Sequence, residues 1–398
     1  MLGRDIATQK NTYLDATGSR AVLVCGKRGS GKSYTLGVVI EELISIGAQA
    51  VIPIIIDPMG IYHTMVLRND KQSSELYQWG LTAQGFNVRL LLPGIPEELY
   101  DPDILIELQR RGVEVIPLRL NASDLSPDGW CDLFDANINE PMGIALFRTV
   151  QNLGENRKFF TVGALIKAVQ NDKRAKDTSK EALLNRLEAA ENWHLFSEHE
   201  YLPMDNIFMP GVVNIVDVSR LESGAYGRRN LIVSVIARNL FRARSDARLR
   251  EEFGLAGKLP RVWMALDEAH QFIPDSTRSL AKPQLIRWAK EGRQPGLSLI
   301  VATQQPSAID KEVLSQCDVV LSHKLTSRDD VMALNRLSQD YMGGELRAII
   351  GELKRTGQAV LVDDEQESVS MLQIRPRQSQ HGGGTEASVV DEDYDLWK

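Results

Sequence analysis

Ala21-Val22-Leu23-Val24-Cys25-Gly26-Lys27-Arg28-Gly29-Ser30-Gly31-Lys32-Ser33 is the stretch on which the reading of this chain turns. The apolar run Ala21–Cys25 reads as a buried strand. It leads directly into Gly26–Ser33, which fits G-x-x-x-x-G-K-[ST] at every position. From Lys32 to Ile46 apolar residues recur at helical spacing, at Leu36, Val39, Ile40, Leu43 and Ile44, and Gly47 stops the run. Strand, glycine-rich turn and helix in that order form an anion cradle. The glycines let backbone N–H groups turn inward around phosphate oxygens, and the helix N-terminus adds partial positive charge. Lys32 can reach the β- and γ-phosphates, and Ser33 can hold Mg²⁺. The expected cofactors are ATP and Mg²⁺. The expected nucleotide-binding set is Gly26, Lys27, Arg28, Gly29, Ser30, Gly31, Lys32, Ser33 and Tyr34, with Asp57 added below.

A second landmark is Arg261-Val262-Trp263-Met264-Ala265-Leu266-Asp267-Glu268, an apolar strand ending in two carboxylates. Asp267 is placed to bind through water the Mg²⁺ that Ser33 holds. Glu268 is placed to orient and polarise the attacking water. Ile54–Ile56 is another apolar run ending in an acid, Asp57, which either positions Lys32 or a water or is an ordinary turn acid. Pro53 lacks the donor a central strand needs, so this strand is expected to start after it or to lie nearer an edge.

Further strand-like runs fall at Val88–Leu92, Val113–Leu118, Val212–Val216, Ser298–Ala302, Val319–Leu321, Gln358–Val362 and Ser368–Gln373. Helical patterns lie between several of them, including about Asn230 to Arg244 and Gln284 to Glu291. Such alternation predicts an α/β fold with a mostly parallel sheet. From about Ala122 to Leu202 helical patterns dominate. The expected organisation is a short N-terminal segment 1–20, a core made of 21–121 and 203–375, a mostly helical insertion 122–202, and a flexible C-terminal tail 376–398.

The 398 residues are 43% hydrophobic and 25% charged, an ordinary globular composition. A net charge of −7 argues against a broad DNA-coating face but not against a local basic stripe. Cys25, Cys131 and Cys317 match no metal spacing and no disulfide framework, and the six histidines form no spaced metal set. No signal-like N-terminus and no apolar run of membrane-spanning length occurs. A cytoplasmic protein without membrane insertion is the expectation.

Four stretches together resemble the HerA/FtsK superfamily, and HerA-like ATPases in particular: Gly26–Ser33; Ile54-Ile55-Ile56-Asp57-Pro58-Met59-Gly60; Leu266-Asp267-Glu268-Ala269-His270-Gln271-Phe272 with the later Lys290-Glu291-Gly292-Arg293; and Ala302-Thr303-Gln304-Gln305-Pro306-Ser307. The closing Arg377–Gly383 is similar as well. The resemblance implies a RecA-like P-loop core and a homo-oligomeric ring, hexameric in the family, that drives DNA through a central pore. It also implies a nuclease or other effector partner, as in DNA end processing or anti-phage defence. In the place where the family carries an N-terminal β-barrel, this chain has residues 1–20.

On the same resemblance Arg293 is an arginine finger reaching a neighbour's γ-phosphate, and Gln304 senses that phosphate. From the residues alone, Arg293 is equally an arginine at a helix C-terminus. The alternative function is a nucleotide-gated scaffold that switches an effector without moving DNA. Candidate pore residues are Lys173-Arg174-Ala175-Lys176, the pair Arg228-Arg229, and the set Arg238, Arg242, Arg244, Arg248 and Arg250, the last of which also reads as a solvated helix face.

Overall fold

The computed structural model describes residues 1–200, 204–224, 227–256, 259–337 and 346–383. Its twelve strands are β1 (Gly3–Asp5), β2 (Asn11–Thr12), β3 (Ala21–Cys25), β4 (Val51–Asp57), β5 (Val88–Pro93), β6 (Val113–Leu118), β7 (Val213–Asp217), β8 (Arg261–Leu266), β9 (Leu297–Thr303), β10 (Val319–Ser322), β11 (Gln358–Asp363) and β12 (Ser368–Ile374). They form one sheet in the order β2-β1-β12-β11-β10-β3-β9-β8-β4-β7-β5-β6. From β10 to β6 every pairing is parallel, and from β10 outward to β2 every pairing is antiparallel.

The central strands are continuous apolar runs because both faces of the sheet are covered. Along β3 the side chains divide between two cores: Leu23 and Cys25 join one, Val22 and Val24 the other. The helix Lys32–Ser45 covers the second core with Leu36, Val39, Ile40 and Leu43. The helices Pro127–Leu133, Pro141–Asn156, Val162–Gln170 and Asp177–Glu191 add Trp130, Leu146, Leu165 and Leu187 to the first. Trp130 stacks on Phe196 and donates its indole N–H to the Ala122 carbonyl at 3.1 Å.

Two expectations need correction. Pro53 lies inside a central strand, not before it or at an edge. The β4–β7 ladder begins only at Ile54, so the missing N–H falls where no ladder bond is required, and the Asn214 side-chain amide donates to the Pro53 carbonyl at 3.0 Å. The chain from 376 to 383 is also not a loose tail, whereas 384–398 lie outside the described residues. After β12 it runs as a strap along the helix Lys32–Ser45.

Three helix positions on one face receive the strap, spaced three and four residues apart: Tyr34, Gly37 and Glu41. The Tyr34 hydroxyl accepts from the Arg377 N–H at 2.6 Å. A Cβ at Gly37 would meet the Arg377 guanidinium at 2.5 Å, so only glycine lets the strap lie this close. Glu41 is wholly buried and accepts from Arg375 Nη1 (2.8 Å), from the backbone N–H of Gln378 (3.1 Å) and Ser379 (2.9 Å), and from Ser379 Oγ (2.6 Å). Sequence periodicity does not reveal this because every partner lies more than 300 positions away.

A buried ion pair stripped of one partner leaves an uncompensated charge, which costs about 3–5 kcal/mol. Arg375→Met is therefore expected to destabilise the protein by that order, read as a lowered urea midpoint. Arg111→Met, which loses a half-exposed surface pair with Glu107, should shift it far less.

Candidate nucleotide site

The loop Gly26–Ser33 is fastened to its neighbours by its own backbone. Gly26 N–H donates to the Thr303 carbonyl at 3.3 Å and Lys27 N–H to the Lys324 carbonyl at 2.9 Å, so the ends of β9 and β10 hold its entry. Gly31 sits at φ 109°, a conformation side chains resist, and from there the helix starts at Lys32. Lys27, Arg28 and Gly29 are exposed at the rim, while the Ser30 hydroxyl turns back to the Lys27 carbonyl at 2.7 Å.

Strand order brings the rest together. Helix 32–45 follows β3, Gln304 follows β9 and the acidic pair follows β8, and these three strands are adjacent and parallel. Lys32 Nζ donates to Asp267 Oδ1 at 2.5 Å and to Glu268 Oε1 at 3.0 Å. Ser33 Oγ and the Tyr62 hydroxyl both donate to Asp267 Oδ2, at 2.9 and 2.8 Å. Gln304 Nε2 donates to Glu268 Oε1 at 2.6 Å. Burial opposes charge on both Lys32 and Asp267, but each outweighs that penalty through the other: the Asp267 carboxyl lies below its ordinary value and the Lys32 ammonium above its own.

Glu268 adopts a left-handed backbone, φ 46° and ψ 48°. Its Oε1 takes both donors, whereas Oε2 is buried without a hydrogen-bond partner, with His270 Nδ1 at 3.5 Å. The cluster opens into a cleft of about 700 Å³ that also carries Tyr34, Gln72, Trp79, Pro376 and His381.

The other residues singled out in the sequence fall elsewhere. Asp57 does not reach Lys32. Its two oxygens accept four backbone N–H groups of its own turn, from Met59, Gly60, Ile61 and Tyr62. Arg293 is 83% exposed and pairs with Glu365 at 3.4 Å. It precedes β9, whose far end carries Thr303 and Gln304, so at about 3.3 Å per residue it lies roughly 20 Å from the cluster of its own chain.

Several basic candidates make contacts within the fold, although Arg248 and Arg250 stay exposed. Arg244 is buried against Glu251, Arg229 donates to the carbonyls of Leu221 and Ser219, and Arg248 pairs with Glu251 and Glu252. Arg228 lies 3.7 Å from Glu222, Arg250 donates to the Ala256 carbonyl and Arg238 is partly buried near Asp124. Arg242 and the stretch Lys173, Arg174 and Lys176 are exposed. Tyr62 and the strap were not foreseen. Tyr62 carries no motif signal of its own, and only its position behind the Asp-Pro-x-Gly turn could have pointed to it.

Phosphate loop, strand-end acids and the polar residue on the intervening strand, set on this sheet, define a P-loop ATPase. A family profile described as "Helicase HerA, central domain" matches residues 2–240, and the chain belongs to that family. It is 24% identical over 361 residues to the DNA double-strand break repair helicase HerA of Sulfolobus acidocaldarius, covering 89% of this chain and 65% of that one. The chain spans 53% to 65% of the length of the archaeal helicases first matched. Among solved structures it resembles VirB4 of Thermoanaerobacter pseudethanolicus, with a TM-score of 0.54, 16% identity, and coverage of 94% of this chain and 95% of that one. It also resembles the bacterial conjugative coupling protein TrwB, with a TM-score of 0.56, 13% identity, and coverage of 92% and 87%. No helix among the described residues is long and apolar enough to cross a membrane.

Behind the loop, His323 is wholly buried, with Nδ1 2.8 Å from the Gln358 carbonyl and Nε2 2.9 Å from Thr35 Oγ1. These partners assign a neutral ring that donates through Nδ1 and accepts from Thr35. Burial pushes its pKa down to about 4. The unfolded chain then binds a proton near pH 6.5 that the folded chain refuses, so stability is lost as pH falls from about 6.5 towards 4, by up to roughly 3 kcal/mol. Urea unfolding across this range should show the loss, and His323→Asn should lessen its slope, leaving the part due to His381, whose pKa burial also pushes down to about 4.

Proposed function

We propose that this chain is the ATP-hydrolysing core of a motor that moves DNA through the central pore of a homo-oligomeric, hexameric ring. The observation that carries the reading is the split of the catalytic parts between the two ends of one sheet. Lys32, Asp267, Glu268 and Gln304 cluster at one end, and Arg293 stands exposed at the other. An arginine so placed serves hydrolysis only when a second copy presents it. DNA as the moved ligand is supported by the name of the Sulfolobus relative, a DNA double-strand break repair helicase. An effector partner rests on the family resemblance alone.

The reaction is ATP + H₂O to ADP + phosphate. Water oxygen bonds to the γ-phosphorus, the bond from that phosphorus to the β,γ-bridging oxygen breaks, and its electron pair leaves with ADP. The Lys32 ammonium and the loop N–H groups bind the phosphates. Ser33 Oγ and Asp267 Oδ2 are hard oxygen donors 2.9 Å apart, and this set fits Mg²⁺. Held by these two residues, Mg²⁺ would supply neutralisation of the phosphate charge. Glu268 receives the water proton on Oε2, the oxygen without a partner, while Lys32 and Gln304 hold Oε1 still. Gln304 also joins the end of β9 to Glu268, so a change at the γ-phosphate is felt by that strand.

Glu268→Gln is expected to keep ATP binding while slowing turnover by about 10²–10⁴-fold, measured by fluorescent-nucleotide titration and phosphate release. Normal turnover by this variant would overturn the water-activating role. Rings mixed from Arg293→Ala and Glu268→Gln chains should recover part of the activity that each pure ring lacks, because some interfaces then combine an intact Glu268 with an intact Arg293. Full ATPase activity by a monomer, unaffected by duplex DNA, would sink the motor reading.

A further inference from the structure

The Asp-Pro-x-Gly turn after β4 is the one motif the hydrolytic chemistry leaves unused. Asp57 is buried at the strand end and gathers four backbone N–H groups, those of Met59 and Gly60 on Oδ1 and those of Ile61 and Tyr62 on Oδ2, all at 2.8 to 3.0 Å. Donors converging on both oxygens from successive residues fix the turn and, with it, the direction in which its last side chain leaves. That side chain is Tyr62, fully buried, whose hydroxyl ends on Asp267 Oδ2 at 2.8 Å.

Asp267 has four donors: Lys32 and its neighbour's N–H (Glu268) on Oδ1, Ser33 and Tyr62 on Oδ2. The terminal torsion of an aspartate is soft and broad, so a carboxylate turns freely unless both oxygens are held. Lys32 and Ser33 have other work once nucleotide arrives, at the phosphates and at the metal. The Glu268 N–H has none, and the Tyr62 hydroxyl meets only the Ser33 carbonyl besides, at a longer 3.5 Å. Tyr62 is then the donor that continues to hold Oδ2.

We propose that Tyr62 is a positioning residue for the metal-holding carboxylate Asp267, and that Asp57 acts at the site only by fixing the turn that delivers Tyr62. This rests on the assignment of Asp267 to Mg²⁺. Loss of an outer partner of a ligand costs metal affinity about 10–100-fold.

The test is binding of a fluorescent, non-hydrolysable ATP analogue to the full chain, titrated with Mg²⁺ and repeated in EDTA, with thermal melts as a check on folding. Tyr62→Phe keeps the ring and removes only the hydroxyl. It should raise the Mg²⁺ concentration for half-maximal enhancement about ten-fold while leaving affinity in EDTA unchanged. Asp57→Asn, which disturbs the turn and removes no hydrogen bond from Asp267, should move it the same way and carries the comparison if the first variant does not fold. Asp267→Asn separates the two readings. If it shifts the Mg²⁺ dependence and the other two do not, the role given to Tyr62 is overturned. If Asp267→Asn itself has no effect, the metal assignment falls, and this inference falls with it.

Discussion

One ammonium group buried between two carboxylates sets the terms for this structure. Lys32 is 5% exposed, and its partners come from a strand more than 230 positions later. Charges taken out of water cost several kcal/mol each unless their geometry and remaining hydrogen bonds are good. That requirement reaches into the topology. The ends of β3 and β8 must lie level, separated only by β9, and Gln304, the residue after β9, then falls between loop and acids without further arrangement. The second layer of support follows: His323 behind the helix, and the strap clamped to Glu41 on its outer side.

Much of the sheet was legible in the sequence because its strands are covered on both faces and so appear as unbroken apolar runs. Ala21–Cys25 has the bounds its pattern indicates, and β8 and β9 differ from theirs by at most a residue at either end. The meeting of Lys32, Ser33, Asp267, Glu268 and Gln304 was legible for a related reason: side chains at the carboxyl ends of neighbouring parallel strands share one crevice. What escaped has no local signature. Tyr62 joins the site through a bond spanning 205 positions, the strap through bonds spanning more than 300, and β1 and β2 gain their order by pairing outward from β12. Pro53 misled for the opposite reason. A sound local rule did not bite, because Pro53 stands one residue before the β4–β7 ladder begins and its missing N–H is not called for there.

The basic residues show how little charge alone reveals. Arg244, Arg375 and Arg377 are almost wholly buried, and each serves an acid or a carbonyl inside the chain. Counting arginines along the long helix Arg228–Glu252 therefore overstates what a polyanion could meet. Arg242, Arg248, Arg250, Lys173, Arg174 and Lys176 remain open to solvent.

The backbone of Glu268 has a price of its own. A glutamate held at φ 46° gives up about 1 kcal/mol or more that a residue without a Cβ would keep. Glycine at this position would relax the peptide and remove the carboxylate in the same stroke. Under the proposed function, the chain is thus held away from its own most comfortable version, because the residue that suits folding at position 268 is one that could not take a proton from water.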